Sequence, residues 1–352
     1  MMTDAFPTTL PINSTADAAL RTRVQAILDG KTKPRGALGR LESLAMQLAL
    51  IQGIQRPTLR EPQLVVFAAD HGIAARGVSA FPSEVTRQMV LNFLVGGAAV
   101  SVLARQHGLA LIVADCGVAA DFEPHPALTK LKVAGAEAGT ADSSVGPAMT
   151  LQQCLAAILN GRQLVTRLPG NVLMLGEMGI ANTSAAALLM ARLTGESLDV
   201  CTGRGTGLDD AGLDRKRNVL RSALEANAGA TEPLAALAAL GGLEIATMVG
   251  AIQQAAATGR VIVVDGFITT AAVAVATALQ PVVVERCVFS HRSQETGHTR
   301  WLQHLGAQPL LDMDLRLGEG SGGALAWPLL DSACRVMSEM ASFESAGVSK
   351  RA

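Results

Sequence analysis

The chain has 352 residues, 49% of them hydrophobic and 17% charged, with a formal net charge of −1. That is enough for a large core in one or two domains, and the lack of a basic excess argues against a nucleic-acid partner. Tyr is absent, aromatics total 3%, and the five cysteines are odd in number with no CxxC pair. These counts argue against base-stacking platforms, a disulfide framework and a structural zinc site, and they fit a reducing cytoplasm.

The opening stretch "MMTDAFPTTLPINSTADAALRTR" has no basic flank leading into an apolar run, so no secretory signal is expected. Residues 36–53 predict a helix with Leu38, Leu41, Leu44, Ala45 and Leu48 on one face. β-Branched runs ending in polar residues and glycine then recur at 63–72, 109–118, 171–179, 260–267, 282–291 and 309–320. Ala-rich helical stretches, 84–107 and 233–258 among them, lie between most of these runs. The most membrane-like segment is Phe267 to Val284. Its threonines, Gln280 and Pro281 predict a buried helix and a following strand, not a membrane span. Residues 324–343 read as helix interrupted early by Pro328, and the tail "SAGVSKRA" as mobile at its very end.

Strands alternating with helices predict an α/β fold with a parallel sheet covered on both faces. Residues 61–320 are expected to form that large domain, and 1–60 plus 321–352 a smaller helical one. In such sheets ligands sit beyond the C-terminal strand ends. Asp70, His71, Asp115, Glu177, Asp265, His291, Asp312, Asp314 and Glu319 stand there. Individually they could simply stop strands; together they mark an active edge.

Within "CTGRGTGLDDAGLDRKRNVL" (201–220), Gly203, Gly205 and Gly207 let backbone amides turn toward an anion before a helix, with Arg215 and Lys216 nearby. No GK[ST] follows, so this is not a Walker A loop. In "LGEMGIANTSAAALLMARL" (175–193), Asn182, Thr183 and Ser184 read as a helix cap at a strand's C-edge, which is also an anion site. Asp70-His71 has no third ligand at metal spacing, and His298 and His304 do not share a helical face, so no metal is expected.

Together "KPRGALGRLE" (33–42), "ADHGIAARGVS" (69–79), "LGEMGIANTSAAA" (175–187), "TGRGTGLDD" (202–210), "DGFITTAAV" (265–273), "SHRSQETGH" (290–298) and "LDMDLRLGEGSGGALA" (311–326) closely resemble the nicotinate-nucleotide–dimethylbenzimidazole phosphoribosyltransferase (CobT) family, from about residue 20 to 348. The resemblance implies a homodimer with a Rossmann-like large domain and a small helical domain from both chain ends. It implies transfer of phosphoribose from nicotinate mononucleotide to 5,6-dimethylbenzimidazole, for cobalamin nucleotide-loop assembly, with no cofactor. Glu319 then matches the catalytic base and Glu177 a second carboxylate. The phosphate is expected at Asn182, Thr183, Ser184, Gly203, Gly205, Thr206, Gly207 and Lys216, with Arg316 holding the anion or orienting Glu319. The aromatic base is expected near Ser79, Ala80, Gln88, Met178 and Leu317. A non-catalytic carrier on the same fold is the competing reading; it has no need of a buried base. A dinucleotide-dependent oxidoreductase would need GxGxxG after the first strand, where "FAADHGIAARG" stands.

Overall fold

The computed structural model describes residues 7–349; the extreme chain end that the sequence reads as mobile, 350–352, lies outside them. In chain order the helices are α1 (Ala18–Gly30), α2 (Arg40–Gln52), α3 (Glu84–Leu94), α4 (Ala99–His107), α5 (Leu151–Arg167), α6 (Asn182–Thr194), α7 (Leu198–Cys201), α8 (Asp210–Ala226), α9 (Pro233–Leu240), α10 (Leu243–Ala257), α11 (Phe267–Leu279), α12 (His298–His304) and α13 (Ser321–Glu339). The strands are β1 (Gln63–Ala69), β2 (Ala110–Gly117), β3 (Leu128–Lys130), β4 (Val172–Met178), β5 (Val261–Val264) and β6 (Cys287–Phe289).

All strand pairs are parallel, and the order across the sheet is β3-β2-β1-β4-β5-β6. The chain works outward from β1 in one direction and from β4 in the other. Their C-terminal ends therefore flank a topological switch point, the place where such sheets open a crevice. β1 delivers Asp70 and His71 to that crevice, and β4 delivers Glu177 and Met178.

Every residue of β1 is buried, as expected where helices cover both faces. Side chains alternate between the two layers. Val65, Phe67, Leu173, Leu175, Ile262 and Val264 pack into one core with α5, α6 and α9–α11. Leu64, Val66, Val172, Met174, Val261 and Val263 pack into the other with α1, α2, α4 and α13. Helices from both chain ends thus lie on one face of the sheet. Leu44, Ala45 and Leu48 are buried there, while Leu38 precedes α2 and is exposed.

Several elements differ from the sequence reading. The apolar stretch Glu84–His107 has the length and hydropathy of a membrane span. It breaks after Leu94, at Val95-Gly96-Gly97-Ala98, into helices of 11 and 9 residues, each too short to cross a bilayer. Residues Pro281–Arg286 form a 3-10 turn, not a strand, because Pro281 has no amide to donate to a ladder; only 287–289 pair. Residues 309–320 form no strand, and only Leu311 bridges, to His291. Pro309, the positive φ of Asp314 and the glycines that follow break the ladder there. The short edge strand β3 was not anticipated.

α5 and α10 cross with their backbones in contact. A Cβ on Gly250 would overlap the carbonyl of Ile158, and one on Gly161 the carbonyl of Thr247. Main chain cannot give way as a flexible side chain can. Gly250→Ala is therefore expected to lower unfolding free energy by about 2–3 kcal/mol. Urea denaturation checks this, and an unchanged midpoint would show that the helices separate at little cost.

Candidate active site

Glu177 is the penultimate residue of β4, buried where the strand meets the switch-point crevice. Glu319 reaches the same crevice from the turn that starts α13. The two are brought together by a main-chain contact. A Cβ on Gly176 would meet the Gly320 amide at 3.0 Å and overlap the carbonyl of Glu319, so the turn lies directly on β4. Gly318 likewise leaves room for Glu177 Oε1. Gly318, Glu319 and Gly320 all have positive φ, at 81°, 65° and 92°. A glutamate in that region is strained by about 1–3 kcal/mol, a feature that concentrates at functional sites.

Asp265, just beyond β5, fixes the turn. Its carboxylate accepts the amides of Gly320 at 3.1 Å and Gly323 at 3.0 Å, capping α13 from across the sheet. His291 Nδ1 stands 3.8 Å from Asp265 Oδ1 and shares a hydrogen bond with the Ser290 hydroxyl. A side chain on Gly322 would collide with the His291 ring.

Both catalytic candidates are pushed toward the protonated form. Burial first, then the charge of Asp265, raises Glu177 to about 8, although the Asn182 amide donates to its Oε2. The same causes, in the same order, raise Glu319 to about 7. Glu319 is 6% exposed, and its Oε2 has no hydrogen-bond partner among the described residues. Both acids therefore keep their protons to higher pH than exposed carboxylates do, Glu177 to higher pH than Glu319.

Next to the carboxylates, α6 begins after Ala181, whose φ is +78°. Asn182 and Thr183 line the crevice there, together with Gly205 and Thr206 from the glycine-rich loop. Gly205 allows close approach, since a Cβ would stand 3.1 Å from Thr183 Oγ1 and 3.4 Å from Lys216 Nζ. Arg204 is engaged by the Leu208 carbonyl and by Asp210, while Asp209 caps α8 through the Gly212 amide at 2.8 Å. Lys216 is 1% exposed and does not line the crevice. Its Nζ donates to Thr183 Oγ1 at 2.9 Å and to the Gly203 carbonyl at 3.3 Å, and burial lowers its pKa to about 8.

Of the other expected contacts, Met178, Arg316 and Leu317 line the crevice, Leu317 being 57% exposed. Ser79 reaches its rim, where its hydroxyl meets that of Thr206 at 3.2 Å. Ala80 is exposed, and Gln88 is exposed on α3. Gly203 is buried behind the loop and Gly207 exposed beyond it. Ser184 is buried inside the start of α6 with an unpartnered hydroxyl, so it stands behind the wall and not on it.

Not every polar strand end serves the crevice. Asp115 accepts the amides of Gly117 and Val118 and closes its own turn. His71 Nε2 pairs with Glu244 at 2.7 Å, both fully buried beneath Gly179. Phe267, Ile268, Ser293 and Glu295 also line the crevice and were not singled out from sequence. The motifs "DGFITTAAV" and "SHRSQETGH" contain all four.

A phosphoribosyltransferase family model matches residues 13–348. The nicotinate-nucleotide–dimethylbenzimidazole phosphoribosyltransferase of Variovorax paradoxus is 65% identical over 350 residues, 99% of each chain. That of Cupriavidus necator is 57% identical, over 98% of each. The chain belongs to this family. The crystal structure of CobT from Thermus thermophilus superposes with a TM-score of 0.90 at 43% identity, covering 95% of this chain and all of that one. The chain is thus an enzyme of the phosphoribosyltransferase class, built on the family's Rossmann-like parallel core.

The raised acids have a consequence for stability. Glu177 and Glu319 rise from 4.5 to about 8 and about 7, so the folded protein holds these protons more tightly than the unfolded chain. Their contribution is complete below about pH 4.5 and is lost as pH rises through those values. Glu177→Gln removes one such group. Relative to the unsubstituted protein it is expected to be more stable at pH 9 than at pH 5, as read from urea midpoints. A difference that does not change with pH would mean that Glu177 is not raised.

Proposed function

We propose that the enzyme moves the phosphoribosyl group of nicotinate mononucleotide onto a ring nitrogen of 5,6-dimethylbenzimidazole, with Glu319 as the proton acceptor. The products are α-ribazole 5′-phosphate and nicotinate. The observation that supports Glu319 most strongly is its unpartnered, buried carboxylate oxygen at a crevice wall, raised to about 7. A base works best when its pKa lies near the working pH.

The step balances without a further reagent. One benzimidazole nitrogen attacks C1′ of the ribose, and the bond from C1′ to the nicotinate nitrogen breaks. The bonding pair neutralises the pyridinium, which makes nicotinate a good leaving group. The other benzimidazole nitrogen gives its proton to Glu319. Attack opposite the leaving group inverts the β configuration to α. Glu177, raised further than Glu319, keeps its own proton when Glu319 is ionised, so a second negative charge does not compete for the benzimidazole proton. Positive charge building at C1′ is then met by an acid pair carrying one net negative charge.

For the nucleotide, Thr183, Gly205 and Thr206 form the wall that receives the phosphate, and Lys216 supplies its charge through Thr183 from behind. For the base, Met178 and the exposed Leu317 offer flat apolar contact, with Ser79 at the rim. We also read residues 61–320 as the catalytic domain and the terminal helices as a smaller lobe. A homodimer is supported by the apolar side chains left uncovered on the α3–α4 turn and on α4, where Val95 is 82% and Val102 49% exposed. All five cysteines are free and buried, which fits a reducing cytoplasm.

Glu319→Gln is expected to keep nicotinate mononucleotide binding and slow turnover by at least about 10²-fold. Mass analysis of the α-riboside product measures it, and near-normal turnover would remove Glu319 from the role. In the unsubstituted enzyme kcat is expected to rise with pH through about 7 as Glu319 ionises. Lys216→Ala is expected to raise KM for the nucleotide more than it lowers kcat; an unchanged KM would deny Lys216 a part in phosphate binding.

A further inference from the structure

One acid on the crevice wall has no part in the chemistry above. Glu295 follows β6 in the motif "SHRSQETGH" and lines the crevice at its phosphate end, together with Thr183, Gly205 and Arg316. It lies against the glycine-rich loop: a Cβ on Gly203 would stand 2.5 Å from Glu295 Oε2. The carbonyl of that same glycine accepts a hydrogen bond from Lys216 Nζ at 3.3 Å. Glu295 is half-buried, and no hydrogen bond to its carboxylate is formed by any described residue. An acid beside an anion site repels the ligand, so its presence there calls for a physical reason.

We infer that Glu295 is a resident counter-ion of the nucleotide phosphate site. It balances Lys216 and Arg316 while the site is empty and yields them to the substrate phosphate. The inference rests on placing the phosphate at the Thr183–Gly205 wall. Without a counter-ion, the buried charge of Lys216 behind the wall and that of Arg316 on the crevice would stand unbalanced at this end of the site. With Glu295 in place the empty site is closer to neutral, and a phosphate has to displace one negative charge to enter. Burial raises the Glu295 carboxyl, and Lys216 and Arg316 hold it back. Once a phosphate neutralises those cations, only the raising influence remains, and Glu295 takes up a proton. Glu177 and Glu319 are the other titratable groups on the same wall. The change in proton uptake on substituting Glu295 separates its share from theirs.

The substitution is Glu295→Gln, which keeps the shape and removes the charge. Calorimetric titration with inorganic phosphate and with nicotinate mononucleotide is expected to show binding about tenfold tighter than in the unsubstituted enzyme, the scale of one charge removed from a partly screened site. Repeating the nucleotide titration in two buffers of different ionisation enthalpy gives the protons taken up. The unsubstituted enzyme is expected to take up more than the variant, a readout that a purely structural role for Glu295 would not move. Unchanged affinity and proton uptake would overturn the proposal. Weaker nucleotide binding with unchanged phosphate binding would also overturn it, and would make Glu295 an acceptor for the ribose hydroxyls. Lys216→Ala, titrated in parallel, tests the underlying placement. If it leaves phosphate affinity unchanged, the phosphate site itself is misplaced and the counter-ion proposal falls with it. If it weakens phosphate binding while Glu295→Gln fails to tighten it, the proposal about Glu295 alone is wrong.

Discussion

The contact on which the site depends is between two stretches of main chain. Gly176 in the middle of β4 has no side chain, and the Gly318–Gly320 turn rests on it. Any residue larger than glycine at 176 would lift the turn away from the sheet. Glu319 would then leave the crevice, and α13 would lose its seat against Met174 and Val263. A strand interior normally avoids glycine because it weakens pairing. Here the cost is offset by a close approach that places a carboxylate from the far end of the chain beside one from the central strand.

That approach also explains the charge state of the crevice. Asp265, Glu177 and Glu319 come within reach of one another where little water enters, and three negative charges there would drive the turn apart. The structure treats them differently. Burial raises Asp265 as well, but nearby His291 and the amides at the start of α13 offset part of that rise. Glu177 has a single amide donor, from Asn182. Glu319 has an oxygen with no hydrogen-bond partner among the described residues. The order of hydrogen-bond support runs opposite to the order of availability for proton transfer. The unsupported acid lines the crevice, and the supported one holds the backbone.

Much of this was legible in the sequence. Alternating apolar runs and Ala-rich helices gave the layered parallel architecture, and the polar residues that end those runs located the crevice. The outer strands were harder. "VVVERCVF" reads as one extended run, but the proline before it starts a 3-10 turn and leaves only three paired residues. "PLLDMDLRLGEG" has apolar alternation but pairs with 289–294 at only a few points, so it stays an extended connection and not a strand. The role of the glycines around Glu319 is legible only in the structure, where Gly318 clears Glu177 and Gly322 clears His291. Asp265 stood out only as one more strand end, because nothing local announces that it caps a helix whose first residue is Ser321. "KPRGALGRLE", for its part, folds on itself away from the crevice, where Lys33 and Glu42 form a buried pair at 2.8 Å.

Two non-glycine residues with positive φ, Ala181 and Glu319, stand beside or on the crevice wall. Ala181 stands immediately before the start of α6, and Glu319 one residue short of the start of α13. A relaxed turn at either place would be obtained with glycine or asparagine. At 181 a small apolar residue keeps the start of α6 tight, so that Asn182 reaches Glu177 and Thr183 reaches Lys216. At 319 the side chain is the acid itself, so the strain cannot be relieved by glycine without deleting that carboxylate. The neighbouring glycines, both at positive φ, then follow as a necessity. They confine the unfavourable geometry to the single residue that has to carry a functional group, and the rigid layers beneath hold it there.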